Sequence, residues 1–488
     1  MLTEVFNVVV VGGGPVGLAA AYEVGKTGAS VIVLEQNNFF NQAGSSNDLA
    51  RMFRTMYTED FMADLAKDAM KLWDKLEKDS GSSLRWMSGL LNFGDKNFGG
   101  DSPEGTLMVT AKEIEERYSF KNPPPEWIGL FAPDNGVINV QLLLRSLLSL
   151  AKDYGAEAKQ HTRVERIIPS TTDKTIWEVH AIRHDTDPAL FKAKRIVIAS
   201  GAYVNHVLRP SFGIFLDLDI WEMVASYFNT NPGLNGTIFP SMWFQFVPNK
   251  HRRSQLFYGF PTVPWGPPNV TRIAVDAVTR RIKDPGERLT NVVNPADIRD
   301  TQVFIKKHVV GVDATVPAFT LSCLQTNVFD NMFVLDYLPK EYLAGGAEKS
   351  VLVFTAGWAM KFVPLLGKTL AEMALDGKSD YARKEFEITR KDKKGKGIIK
   401  RVVRGKRGDH SMMMEELDVD DEVEGESAFT YEEQASGSSI RECQNVGNRE
   451  YIRGFVNVRL QTTQAISSTP LPSATSISVS VGLHHVTL

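Results

Sequence analysis

Cysteine is nearly absent: Cys323 and Cys443 are the only two in 488 residues, which excludes a disulfide framework and fits a reducing compartment. Long apolar runs are also missing. The valine-rich start is interrupted by Gly12 to Gly14 too soon for a signal peptide or a spanning helix, so neither a leader nor a membrane partner is expected. Charge of one sign is lacking too, and a net charge of -3 predicts no general attraction to nucleic acid or to acidic membranes. There is no CxxC and no second GxGxxG, which argues against a disulfide reductase. No metal site is expected.

A hydrophobic fraction of 43% with 10% aromatics is ordinary for a soluble enzyme, and 488 residues exceed what one core usually serves. The stretch from Val8 to Glu35 organises the rest. Val8 to Val11 reads as a strand buried on both faces. Gly12, Gly14 and Gly17 then follow in GxGxxG spacing and open an Ala-rich helix, and a second strand from Ser30 to Leu34 ends at Glu35. Gly12 makes the tight turn, Gly14 lets backbone approach a pyrophosphate, and Gly17 lets helix and sheet pack closely. A pyrophosphate would sit at the helix N-terminus, and Glu35 is placed to accept from a ribose. A carboxylate there argues against NADP and leaves FAD and NAD open.

The loop after Glu35 holds Gly44, Ser45, Ser46, Arg51, Arg54 and Tyr57, with Asp48 the one acid beside the arginines. On a short helix the spacing of Arg51 and Arg54 puts both guanidinium groups on one side, suited to an anion or simply to solvent. An amphipathic helix through Leu65, Leu72, Trp73 and Leu76 follows, and GVINVQLLLRSLLSLAKDYG reads as a turn and a helix ended by Gly155. Ile196 to Ala199 is a buried strand leading into a backbone-rich turn at Ser200, Gly201 and Ala202. From about 215 to 320 the pattern changes to Pro-punctuated aromatic strands, an antiparallel sheet of a second domain. Near Gly357 a strand gives way to a helix. Beyond about 385 a basic block, an acidic block and a Ser/Thr-rich end predict a disordered tail, and the final Val486, Thr487, Leu488 is no peroxisomal signal.

These pieces, taken in order, resemble the monomeric sarcosine oxidase family of flavin amine oxidases, which includes N-methyltryptophan oxidase and the fructosyl-amino-acid oxidases. The resemblance is carried by the GxGxxG, GSSNDLARMFRTMY, FAPDNGVINV, IASGAYV, YGFP, SCLQTNVFDNMFVLD and GWAMKFVPLLGKTLAEMALDG, and it runs from about residue 5 to 380. It implies an α/β fold: a Rossmann-type FAD-binding domain from residues 1–85, 131–215 and 321–385, and an α+β substrate domain on an antiparallel sheet from 86–130 and 216–320. Residues 386–488 are left as the tail.

It further implies oxidation of a C–N bond in a small-molecule amine or amino acid with O2 as acceptor, by a monomer; the cysteine count, the start of the chain and the net charge add the expectation of a cytoplasmic protein with no nucleic-acid partner. FAD would be held by Gly12, Gly14, Pro15, Val16, Gly17, Glu35, Gln36, Ser45, Arg51, Val164, Gly201, Gly357, Met360 and Lys361, and through a thioether by Cys323. Arg54 and Lys361 match the family's carboxylate clamp. Arg272 stands where the family has a lysine that promotes the reaction with O2, and Asp276 matches a pocket histidine. Gln325 replaces a tyrosine, and the GHGFK turn reads Gly357, Trp358, Ala359, Met360, Lys361. These departures predict a substrate larger than sarcosine. A fructosyl-amino-acid oxidase, a specialised-metabolism flavoenzyme on the same fold, a flavin hydroxylase and a partner-binding flavoprotein are the alternatives.

Overall fold

The valine run at the start forms the strand Val5–Val11, and its residues from Val8 to Val10 are fully buried because neighbours cover both of its faces. In this computed structural model the described residues are 4–46, 48–55, 57, 59–95, 107–231, 238–247, 255–275, 278, 280–288 and 295–402, all within the unit Met1–Asp409. Among them, one sheet has eight strands. Its parallel centre runs Val351–Thr355, Asp187–Ile198, Val5–Val11, Val31–Leu34, Glu157–Lys159, with Val334–Tyr337 antiparallel at one edge. The hairpin Thr162–Pro169 and Trp177–Arg183 pairs with the first half of the long strand Asp187–Ile198.

Helices Pro15–Gly25, Val140–Asp153 and Val363–Asp376 pack together over this sheet. The closeness depends on glycine: a Cβ on Gly367 would stand 2.5 Å from that of Ala19. The amphipathic helix Asp60–Ser80 buries Met62, Leu65, Ala66, Ala69, Trp73 and Leu76 at helical spacing and ends at Gly81 in the left-handed region. Each large side chain so buried contributes about 1.5–3 kcal/mol.

The second sheet has nine strands among the described residues and mixes both chain regions expected to build it. Leu90–Asp95, Leu107–Thr110 and Trp127–Ala132 join Asp219–Asn229, Met242–Val247, Gln255–Gly259, Val270–Val275 and Arg280–Ile282. The pairing is antiparallel except between Met242–Val247 and Leu90–Asp95. Phe319–Asn327 pairs with Asp219–Asn229 along its whole length. That strand therefore belongs to the second sheet, although residues from 321 were expected with the nucleotide segments.

The expected tail also begins too early. Residues 386–402 are folded onto the body: Ile399–Arg401 pairs with Ile214–Leu216, Phe386, Ile388 and Ile398 are buried, and Arg390 bonds Asp330 at 2.7 and 2.9 Å. Three apolar anchors suffice here to hold a stretch whose charge suggested disorder. Residues from 403 onward lie outside the described set.

Candidate active site

Two crossovers meet at the ends of parallel strands, as ligand sites in such sheets do. Gly12 follows Val5–Val11 with φ +109°, and a Cβ there would come within 2.6 Å of the Ala199 carbonyl oxygen at the end of the neighbouring strand. A Cβ on Gly17 would stand 2.0 Å from the Gly12 oxygen, so no side chain fits between helix and strand. Gly14 is the N-cap of Pro15–Gly25 and supplies no side-chain cap, so the first helical N–H groups are not covered by one. Pro15 and the buried Val16 start the helix. Gly13, which the spacing argument passed over, is as constrained as its neighbours, because a Cβ there would meet the Phe39 ring at 2.5 Å.

Glu35 is 7% exposed at the end of Val31–Leu34. Its carboxylate accepts from the Gly13 N–H at 2.8 Å and the Asn37 N–H at 2.9 Å, with Asn41 Nδ2 at 3.3 Å. Burial pushes its pKa up, against the lowering effect of those donors. It thus ties the glycine turn to the loop beyond; Oε1 takes two donors and Oε2 one, so a lone-pair site remains on Oε2 for a further donor. Across the turn, Gly201 has φ +57° and its carbonyl accepts from Thr355 Oγ1 at 2.9 Å, while the Ser200 hydroxyl is buried without a partner. Val164 is buried beside a bulge, and Gln36 is partly buried. An uncapped helix end, glycines that admit no Cβ, an anchored carboxylate and an unpaired hydroxyl form a cradle that fits a dinucleotide.

The arginine loop differs from its reading as a short helix. Ala50–Phe53 is a strand, paired with Gly136–Asn139, and Arg54 follows directly. Three residues apart on an extended chain means opposite faces, so Arg51 and Arg54 serve different places. Arg51 joins the buried carboxylate of Asp48. The same carboxylate bonds Arg272 Nη1 at 2.9 Å, accepts from the Tyr227 hydroxyl, and accepts from its neighbour Leu49 N–H. Arg272 also donates to the Ala50 carbonyl at 3.0 Å and the Tyr258 hydroxyl at 2.8 Å, with the rings of Tyr258 and Phe260 5.2 and 5.0 Å from its guanidinium carbon. Burial pushes the Asp48 carboxyl up, but Arg272 and then Arg51 outweigh it and hold the group below the ordinary aspartate value. Asp48 was visible in the sequence only as a neighbour of the arginines.

Among the described residues Arg54 forms no ion pair with an acid. Its guanidinium carbon lies 5.2 Å from the Tyr57 ring and 6.0 Å from that of Phe244, and its buried Nε has no hydrogen-bond partner. Lys361 Nζ stands 5.5 Å from the same Tyr57 ring, and the residue is 8% exposed. Burial first, and the Arg54 charge second, pull the Lys361 pKa well below the ordinary lysine value. Among the described residues no carboxylate forms an ion pair with either cation. The backbone holding them is well braced: Trp73 Nε1 donates to the Lys361 carbonyl at 2.8 Å, and Asn135 Oδ1 accepts from the Thr55 N–H at 2.9 Å. Lys361 sits in the turn Ala359–Phe362, behind Ala356 and Gly357, both with positive φ. A Cβ on Gly357 would strike the Phe333 ring at 2.4 Å.

Cys323 lies opposite Met223 in the sheet, partly exposed and close enough to Arg51 and Arg272 to interact with both charges. Arg288, which no sequence signal singled out, bonds the Ser322 hydroxyl at 3.0 Å and the carbonyls of Ser322 and Gln42, joining the loop after Glu35 to the cysteine strand. The Ser45 carbonyl lies 3.4 Å from Arg51 Nη2. Gln325 donates to the Gly357 carbonyl at 3.1 Å, which ties the strand of Cys323 to the turn of Lys361. Met360 is in that turn, and Trp358 is 43% exposed, which rules out core packing for its ring. Asp276 lies outside the described residues.

A cradle that fits a dinucleotide and a pair of cations set against aromatic rings are the two features that a nucleotide-dependent oxidoreductase needs. Residues 7–373 match the family described as DAO, FAD dependent oxidoreductase, and the chain belongs to that family. It is 46% identical over 413 residues to a Dictyostelium discoideum protein named "Putative bifunctional amine oxidase", a match covering 80% of this chain and 37% of that protein, so the chain spans little more than a third of this relative. It is 27% identical to the human peroxisomal sarcosine oxidase, over 81% of this chain and 99% of the relative. Among solved structures, NikD, described as an unusual amino acid oxidase essential for nikkomycin biosynthesis, matches with TM-score 0.69 and 29% identity, covering 79% of this chain and 98% of that one. The expected FAD-dependent oxidoreductase family, with its fold and its FAD, is thereby shown. No helix of the described residues is long and apolar enough to cross a membrane.

Proposed function

We propose that this chain is an FAD-dependent oxidase of a secondary or N-substituted amino acid larger than sarcosine, converting the C–N bond to an imine. The observation that carries the reading is the Arg54 and Lys361 pair, two cations over one tyrosine ring with no described acid to balance them. A substrate carboxylate completes that site, Arg54 offering a planar fork and Lys361 a point charge. Tyr57 and Phe244 beside Arg54 supply apolar walls for an N-substituent or ring.

FAD would be held by the glycine cradle, Glu35 and Arg51, with Cys323 as its point of attachment, and when bound would supply the two-electron acceptor for the α-hydrogen, with O2 as the final oxidant reduced to hydrogen peroxide. The chain's own residues do the rest. The clamp fixes the α-carbon by its carboxylate, which restricts the orientations the reacting C–H can take. Positive charge on Arg54, Arg51 and Arg272 disfavours an ammonium group, so the substrate amine is held in the neutral form that oxidation needs. Arg272 places positive charge where oxygen gains electrons. Trp358, exposed in the turn that carries Lys361, is available to contact a larger substrate.

The test is a panel of sarcosine, N-alkyl and cyclic secondary amino acids, and glycated amino acids, scored by anaerobic bleaching of the purified flavoprotein and by peroxide formation. Bleaching by a bulky secondary amino acid with peroxide release is expected. A protein without flavin, or one bleached by no amine, would overturn the reading, and a preference for glycated amino acids would move it to the fructosyl class.

A further inference from the structure

We propose that Asp48 is a positioning residue that sets the charge beside the flavin, by holding Arg51 and Arg272 on one shared carboxylate. This rests on the proposed function, since it takes the face bearing Cys323 as the flavin's side. Asp48 is 3% exposed, and its two oxygens take both guanidinium groups and the Tyr227 hydroxyl. Two cations and one anion leave a net charge of +1 where two unpaired arginines would give +2. Among the described residues no second acid forms an ion pair with either arginine. Tyr258 and Cys323 are the other titratable groups that act on the cluster.

The sharing also fixes geometry. Arg272 is bonded to the Ala50 carbonyl, Asp48 and Tyr258, so its guanidinium is held from three directions, and Tyr227 is itself stacked on Phe319 at 4.4 Å. A charge so held acts as a preorganised dipole that does not reorient when its neighbour changes charge. Its size depends on Asp48, because each arginine's positive end is half matched by the same carboxylate.

The experiment measures the flavin midpoint potential of the holoenzyme in Asp48→Asn, Arg51→Gln and the double variant. Losing the carboxylate raises the local charge, so Asp48→Asn is expected to move the potential in the positive direction. Arg51→Gln removes a cation and is expected to move it the other way, and the double variant, back at +1, should return close to the wild type. Opposed shifts that cancel are not produced by a merely structural role. A second readout needs no flavin. Tyr227 is held far above the ordinary tyrosine range by burial and then by Asp48. In Asp48→Asn, facing two arginines without their counterion, it should ionise at lower pH, seen as tyrosinate absorbance that disappears in Asp48→Asn/Tyr227→Phe. Should Asp48→Asn not fold, the double variant, which buries no extra charge, still gives the comparison. Potentials that ignore net charge, or a Tyr227 titration unmoved in Asp48→Asn, would overturn the assignment. Absence of flavin from the wild type would sink the proposed function instead, leaving the tyrosine titration to judge the cluster.

Discussion

Arg51 and Arg54 stand three residues apart in the chain and end in opposite electrostatic surroundings. Arg51 shares a buried carboxylate with Arg272, which brings the set down to a net +1. Arg54 shares a tyrosine face with another cation, Lys361, and nothing described balances them. A buried pair stabilises the fold only while it stays complete, whereas an unbalanced cation costs stability that a bound anion can restore. On the proposed function, the first cluster persists through turnover and the second waits for a ligand.

The largest expected effect follows from breaking the set held by Asp48. Asp48→Ala should lower stability by about 3–5 kcal/mol, since it leaves two buried guanidinium groups without a counterion. Lys361→Met, by contrast, should leave thermal stability unchanged or raise it. Denaturant unfolding of both variants checks the contrast, and equal losses would abolish it.

Next comes Arg54→Met, expected to lower kcat/KM for an amino-acid substrate by roughly 100-fold, the scale of a charge-assisted hydrogen bond lost in a dry site. The same change should matter far less for an amine without a carboxylate. Steady-state kinetics with the two substrates separates a clamp from a general packing role.

The pH dependence sharpens the comparison further. Lys361 has its folded pKa lowered by burial and by Arg54, so the unfolded chain binds the extra proton between that lowered value and about 10.4. Wild-type stability should therefore rise relative to Lys361→Met as pH increases through that window. A carboxylate inhibitor, which favours the protonated lysine, should bind with proton uptake and weaken as pH rises through the lowered value. Calorimetry in buffers of different ionisation enthalpy reads the proton directly, and Lys361→Met should not show it.

The smallest effect belongs to Trp73→Phe, which removes the indole bond to the Lys361 carbonyl while keeping most of the ring packing. A loss of about 1 kcal/mol is expected, with less than a tenfold rise in KM.

Much of the cradle was legible because its signals are local: Gly12, Gly17 and Glu35 lie within one strand-helix-strand stretch, the two glycines stand where no Cβ fits, and Glu35 ends the second strand, where it accepts from the Gly13 N–H. Arg54, Lys361 and Cys323 were found through resemblance, which carries positions but not surroundings. The Asp48 cluster was not legible, because Asp48 and Arg272 are 224 residues apart and the carboxylate's role exists only once both sheets are assembled. Trp73 and Lys361, separated by 288 residues, are a similar case. The arginine spacing misled because a helix puts residues three apart on one side and a strand does not. The folded stretch 386–402 was hidden by its charge, since Phe386, Ile388 and Ile398 are too few to make a periodic pattern.

The most direct test of the two-cluster comparison is anaerobic flavin reduction by a secondary amino acid and by its decarboxylated amine, in the wild type and in Arg54→Met/Lys361→Met. Strong preference for the amino acid in the wild type, lost in the double variant, is the expected result. Equal reduction by both compounds in the wild type would contradict it, leaving Arg54 and Lys361 as buried charges with no carboxylate to hold.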